Sequence, residues 1–296
     1  MAGPGSPSAA RAPLVALGLS DEELRTLVEA GLKEDMGSGD LTTRLTVPEG
    51  QRARGTFINK QALVVAGLPV AAEVFRALEP AIAWEPLVEE GAEIEAGARL
   101  AVASGSAAAL LAGERVALNF LQRLSGIATL TRRLKAELAG LRTEILDTRK
   151  TTPGLRALEK YAVRVGGGRN HRLRLDDGIL IKNNHLRLVG GIRHAVERAR
   201  QGRPPSMLVE VEVTSLAELN EAIAAGAEAV LLDNMTPTEV GECARRAGGR
   251  VRLEVSGGIS AANIRAYAET GVDAISVGAL THSAPAADIH FLIEPL

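Results

Sequence analysis

Aromatic side chains are scarce: Phe, Tyr and Trp make up 2% of the 296 residues. So few rings cannot build the stacking platforms on which single-stranded bases are read, which argues against a nucleic-acid partner. Cysteine is rarer still. The single thiol, Cys243, rules out an intrachain disulfide and fits a reducing, cytoplasmic setting. It falls in a predicted helix and is expected to be a buried structural thiol, not a nucleophile. No uninterrupted apolar run reaches the roughly 18 residues of a spanning helix, so no membrane partner is expected. Neither sign of charge dominates, with 34 Lys and Arg against 36 Asp and Glu, so no global field draws in nucleic acid or an anionic membrane. The five histidines form no H-E-x-x-H pair and no zinc-binding Cys/His cluster. A G-x-S-x-G elbow and a P-loop are also missing.

What is present is aliphatic. Hydrophobic residues are 46% of the chain, a globular composition, and 296 residues are long enough for one large domain or two ordinary ones. The stretch 1–13, rich in Gly, Pro, Ala and Ser, reads as a disordered leader. Ser20 and Glu23 form a capping box ahead of Leu24, Leu27, Val28 and Leu32 at helical spacing. The stretch 34–43, EDMGSGDLTT, reads as a loop. Short apolar runs at 56–59, 62–66, 82–86 and 100–103 read as strands, with a helix over 70–78. Carrier domains with similar turn-rich sheets present a lysine, but none lies between Gln61 and Leu134. The region is therefore read as a small α/β sandwich. A long helix follows over about 107–139, with a break expected at Gly126.

Beyond Leu141 the pattern becomes regular. Apolar runs at 144–150, 178–184, 208–213, 229–234, 252–258 and 274–279 alternate with helical segments. Two helix starts are clear, at Thr236 with Pro237 and Glu239, and at Ser260 ahead of 263–269. Near-continuous apolar strands alternating with helices imply a parallel sheet covered by helices. An open doubly wound sheet and a barrel both satisfy that pattern. The barrel is preferred because polar residues end nearly every strand and no G-x-G-x-x-G follows the first. The fold class is thus α/β: an N-terminal sandwich over 14–125 with a helical linker, then an incomplete barrel of six to seven parallel strands over 126–281. Residues 282–296 form a C-terminal segment free to return to the N-terminal domain.

Strand ends supply the chemistry. They carry Asp147, Arg149 and Lys150, then Lys182, Glu212, Asp233, the run Ser256, Gly257 and Gly258, and finally Gly278. Glu210 and Glu212 alternate with three valines, so both face the barrel interior, where Lys150 and Lys182 are candidate partners. A purely structural ion-pair network is the competing explanation, strongest for Glu210. Ser256-Gly257-Gly258 and Val277-Gly278-Ala279 leave backbone N–H groups free to cradle phosphate. In the segment 165–175, VGGGRNHRLRL, Arg172 is expected to bind an anion together with Arg149 of TRKTT. Arg169 and Arg174 read as a solvated basic face. This inventory suits electrostatic positioning of a charged reaction, not covalent nucleophilic catalysis.

The runs ERVALNFLQRLSGIAT (114–129), DTRKTTPGLRALEKYAVRVGGGRNHR (147–172), LIKNNH (180–185), VEVEV, LLDN, SGGI and VGALTH (277–282) resemble the quinolinate phosphoribosyltransferase family over nearly the whole chain after the leader. The resemblance implies a pentosyltransferase of NAD biosynthesis. It joins quinolinate and phosphoribosyl pyrophosphate, with Mg²⁺, to give nicotinate mononucleotide, pyrophosphate and CO2. It also implies a homodimer with shared active sites, in which Arg115 enters the neighbouring subunit's site. Arg149, His171, Arg172 and Lys182 match residues that hold the quinolinate carboxylates, with Thr148 beside them. Lys150, Glu212 and Asp233 match residues that handle the phosphosugar, the two acids also serving its metal. Ser256, Gly257, Gly258, Val277, Gly278 and Ala279 match the phosphate loops, with His282 nearby. Asn183 departs from the pattern, since many members carry an acid there. The alternatives are a molybdenum-uptake-associated paralogue, disfavoured by the retention of TRK, NHR and both acids, and a non-catalytic phosphosugar-binding protein, which would not require Glu212, Asp233 and the arginines together.

Overall fold

The structure, a computed structural model, describes residues 19–296. The expected leader over 1–13 lies outside the described residues. In chain order the first elements are α1 (Asp21–Met36), α2 (Leu41–Thr46), β1 (Arg52–Asn59), β2 (Leu63–Val64), α3 (Leu68–Leu78), β3 (Ala83–Pro86), β4 (Glu93–Ile94), β5 (Arg99–Ser106) and α4 (Ala107–Glu137). There follow β6 (Glu144–Leu146), α5 (Arg156–Val165), β7 (Ile179–Ile181), α6 (Asn183–Val189), α7 (Ile192–Gly202), β8 (Val209–Val213), α8 (Leu216–Ala225) and β9 (Ala229–Asp233). The last are α9 (Pro237–Ala247), β10 (Arg252–Ser256), α10 (Ile264–Ala268), β11 (Ala274–Ser276), α11 (Ala279–His282) and β12 (Ile289–Pro295). Contacts group them into two compact units, one of the described residues up to Leu130 with Thr152–Gly167 and Ala284–Leu296, the other of Thr131–Thr151 and Gly168–Ser283. Among the described residues no helix is long and apolar enough to cross a membrane.

The first unit contains a four-stranded antiparallel sheet in the order β12-β1-β5-β3. Phe57, Phe75, Trp84 and Phe291 form its aromatic cluster, with ring centroids 4.7 to 6.0 Å apart. The final strand pairs with β1 in register Phe57↔Phe291, which brings the C-terminal segment into this unit. The capping box at α1 forms as expected, with Ser20 Oγ accepting the Glu23 N–H. The expected loop over 34–43 is corrected. Glu34–Met36 complete α1, and Asp40 accepts the Thr43 N–H to start α2, since an Asp at the N-cap satisfies a free helix donor.

Two further expectations change. Helix α4 runs unbroken through Gly126. The glycine is there for close approach: a Cβ at this position would lie 2.0 Å from the Pro285 carbonyl oxygen. The segment Thr152–Gly167, read from sequence as part of the barrel, groups with the first unit. Helix α5 is tied there by the buried Glu159, which pairs with Arg123 at 2.8 Å, and by Tyr161, whose hydroxyl donates to Glu90. An amphipathic pattern shows that a helix has a buried face but not which sheet receives it.

In the second unit six parallel strands lie in the order β6-β11-β10-β9-β8-β7. Each strand from β7 to β11 neighbours its successor, and β11 returns to β6. That is barrel order, left open between β6 and β7. A parallel bridge between Leu146 and Arg169 adds a seventh position beside β6. Val209, Val211 and Val213 are fully buried, at roughly 1.5–3 kcal/mol each. Cys243 is buried in α9, in a structural position. Thr236 caps that helix as expected. At the second expected start, Ser260 and Asn263 form a hydrogen-bonded turn and helix α10 begins at Ile264.

Candidate active site

Parallel register aligns the strand ends of the second unit, with Asp233 beside Ser256 and Ser256 beside Ser276. Lys182 follows β7, and its ammonium lies 3.1 Å from Glu212 Oε2. The Asn183 N–H makes a long contact, 3.5 Å, to the other Glu212 oxygen. The place where an acid was expected therefore offers Glu212 a backbone donor. Burial, and then the charge of Glu212, raise the Asp233 carboxyl above its usual range, while Asn234, Lys182 and Lys150 oppose the rise. Two adjacent carboxylates under mutual repulsion, with hard oxygen donors, fit Mg²⁺. Asn234 is the described non-glycine residue with positive φ, 56°, and its amide donates to Asp233 Oδ2.

The cationic group forms around the turn 168–172. Asp147, fully buried after β6, accepts the His171 N–H at 2.9 Å and the Asn170 amide. The Arg172 N–H donates to His171 Nδ1 at 2.7 Å, and one arm of its guanidinium donates to the Gly178 carbonyl. Burial, and then the neighbouring Arg149 charge, pull Arg172 below its usual value, opposed by Glu210 and Asp177. Arg149 Nε is buried without a hydrogen-bond partner. Two arginines that repel each other, one with an unsatisfied donor, are suited to an anion. Arg169 instead pairs with Glu144, and Arg174 stands exposed near Asp176.

On the interior side, His171 Nε2 lies 3.3 Å from Glu210 Oε2 and 3.7 Å from Glu254 Oε2. Glu210 therefore pairs with a histidine, not with the lysines considered from sequence. Glu254 was missed, although LEVS alternates as VEVEV does and puts Glu254 and Ser256 on one face. Burial, and then Glu210, push its carboxyl up to about 7.

The glycine loops have the geometry a cradle needs. Gly257 has φ +100°, and a Cβ there would lie 2.2 Å from Asn234 Oδ1, so no side chain fits. Gly258 follows at φ +61°. At Gly278 a Cβ would meet Lys150 Cδ at 3.0 Å and the His282 ring at 3.2 Å, so the bare backbone lets both side chains approach. Thr281, also missed, donates to the Lys150 carbonyl at 2.8 Å and fixes that turn. The Lys150 N–H in turn donates to Thr148 Oγ1 at 3.1 Å. Val277 is a correction to the expected phosphate ligands. Its N–H is bonded to the Leu146 carbonyl and its side chain is buried, so it packs and offers no donor. Ala279 opens α11, and His282 ends it exposed. Arg115 lies exposed on α4 in the first unit.

Comparisons with known proteins agree on one family. The model of the quinolinate phosphoribosyl transferase C-terminal domain matches residues 127–292, and that of the N-terminal domain matches 40–125. A probable carboxylating nicotinate-nucleotide pyrophosphorylase of Synechocystis is 43% identical over 88% of this chain and 90% of its own length. The Mycobacterium leprae enzyme of that name is also 43% identical, over 92% of this chain and 98% of its own. The crystal structure of NadC from Streptococcus pyogenes superposes with a TM-score of 0.90 at 39% identity, over 94% of this chain and 99% of that one.

Proposed function

The chain belongs to the quinolinate phosphoribosyltransferase family, and on that premise we propose which of its residues carry the family's reaction. It is an enzyme that transfers phosphoribosyl from phosphoribosyl pyrophosphate to quinolinate with decarboxylation, giving nicotinate mononucleotide, pyrophosphate and CO2. The names of its relatives favour this reading over the molybdenum-associated and non-catalytic alternatives.

Arg149 and Arg172 hold the quinolinate carboxylates. The observation that carries this is their mutual repulsion, with Arg149 Nε buried and unsatisfied. Lys182 supports the same dianion from the next strand. Lys150 and the backbone N–H groups of Gly257, Gly258, Gly278 and Ala279, with the Ser256 and Thr148 hydroxyls and His282, receive the phosphates. Glu212 and Asp233 face the ribose and would hold Mg²⁺. When bound, that ion offsets the charge of the departing pyrophosphate. The ring nitrogen of quinolinate forms its bond to the sugar carbon as the carbon–oxygen bond to pyrophosphate breaks. The carboxylates stabilise the positive charge that develops on the sugar. The alkylated ring then accepts the electron pair of the carbon–carboxylate bond, CO2 leaves, and solvent supplies the replacing proton.

We further propose a cytoplasmic homodimer in which Arg115 of the partner subunit completes each site, supported by the exposure of Arg115 and by the family pattern. The direct test incubates the protein with Mg²⁺, quinolinate and phosphoribosyl pyrophosphate. Nicotinate mononucleotide and CO2 in equal amounts are expected. No product at high enzyme concentration, or product from nicotinate alone, overturns the reading.

A further inference from the structure

The His171 ring has both nitrogens engaged inside the protein. Nδ1 accepts the Arg172 N–H at 2.7 Å. An acceptor carries no proton, so the ring proton sits on Nε2, which faces Glu210 at 3.3 Å and Glu254 at 3.7 Å. The His171 side chain is only 15% exposed. Its backbone N–H is taken as well, by Asp147. Acids just past the end of β6 and on β8 and β10 thus hold this one turn, as barrel layers are built from alternate strands. Next in the same turn, the half-buried Arg172 guanidinium donates one arm to the Gly178 carbonyl and lies beside the Arg149 charge.

We propose that Glu254 is a positioning residue for the quinolinate site: as a protonated acid, it and Glu210 clamp the His171 imidazole, and His171 in turn fixes the Arg172 backbone so that its guanidinium meets a substrate carboxylate. The assignment rests on the quinolinate reading above. It departs from the resemblance, which places His171 among the direct ligands of the carboxylates.

Charge counting requires the proton. One N–H faces two carboxylates, and Glu254 is 4% exposed with Oε1 lacking a hydrogen-bond partner. A second ionised carboxylate there would be a buried charge beside Glu210, and burial and that repulsion outweigh the opposing His171, Ser276 and Arg252. The groups facing Glu254 are Glu210 from β8, His171 from the turn, Ser276 from β11 and Arg252 from its own strand. From β9 the residue in register is Leu231, which carries no charge. A proton on Glu254 also keeps a second negative charge away from a dianionic substrate.

The test compares Glu254→Gln with Glu254→Met. Both approximate the volume of the native side chain, and only Gln keeps polar atoms that reach the imidazole. Steady-state constants for each substrate are measured, together with calorimetric binding of phthalate, an aromatic dicarboxylate that cannot react. Glu254→Gln is expected to keep the quinolinate KM within about threefold of wild type. Glu254→Met is expected to raise that KM and the phthalate Kd by about tenfold or more while the phosphoribosyl pyrophosphate KM stays within about twofold. Should Glu254→Met fail to fold, a Glu254→Gln protein with an unchanged quinolinate KM still supports the clamp, and one raised tenfold overturns it. A Glu254→Met protein that binds quinolinate and phthalate as wild type also overturns it, as does an equal loss for both substrates. A wild-type enzyme inactive on quinolinate would instead overturn the underlying reading, which separates the two failures.

Discussion

The ammonium of Lys182 stands 3.1 Å from Glu212 Oε2, an ion pair between the ends of two neighbouring parallel strands. The lysine is half exposed and the acid nearly buried, with side-chain exposures of 48% and 11%. Lys182 can therefore swing toward a substrate carboxylate and leave Glu212 to a cation. Glu212→Gln removes one of the two carboxylates proposed to hold Mg²⁺. The Mg²⁺ concentration for half-maximal activity should rise by about tenfold or more, and chelation should abolish wild-type turnover. An unchanged Mg²⁺ dependence in the variant would remove Glu212 from the metal site.

Mixing two inactive proteins tests the shared site. Arg115→Ala and Lys182→Ala homodimers should each be nearly inactive. Heterodimers would contain one site with an intact Lys182 and an intact partner arginine, and should recover about half of the wild-type activity. Purified heterodimers with no recovery would mean that Arg115 serves its own chain.

Gly126 tests the packing of the C-terminal segment on α4. Adding one methyl 2.0 Å from the Pro285 carbonyl oxygen forces backbone to move. Overpacking of this kind costs about 1–3 kcal/mol, which in a protein of this size lowers Tm by several degrees. A Gly126→Ala protein that melts with wild type would show that the segment yields freely.

The raised Glu254 carboxyl makes stability depend on pH. Its usual value of 4.5 holds in the unfolded chain, and burial lifts the folded value to about 7. Between these values the folded state binds the extra proton. The contribution is therefore fully present below about pH 4.5 and is lost as pH rises through about 7, on the order of 3 kcal/mol in all. Chemical denaturation at pH 5 and pH 8 should show a smaller difference for Glu254→Gln than for wild type. Equal differences in the two proteins would locate the raised group elsewhere.

Much of this molecule is written in local order. The strand–helix alternation beyond Leu141 follows from near-continuous apolar runs, and the helix starts at Ser20 and Thr236 follow from short capping patterns. The six strand ends, and the acids and lysines on them, are legible because parallel strands must bring their C-terminal ends to one edge. Three features depend on tertiary structure. Glycine at 126 signals a break only until a carbonyl from Pro285 is seen to occupy the space a side chain would need. The amphipathic α5 contains no record of the sheet it joins, because any apolar surface buries its face equally well. The pairing of His171 with Glu210 and Glu254 depends on strand register across the sheet, which places side chains from positions 171, 210 and 254 within a few ångströms of one another. Periodicity orients a side chain to one face or the other. Only packing decides which group it meets there, and that meeting sets the charge of Glu254 and the direction of Arg172.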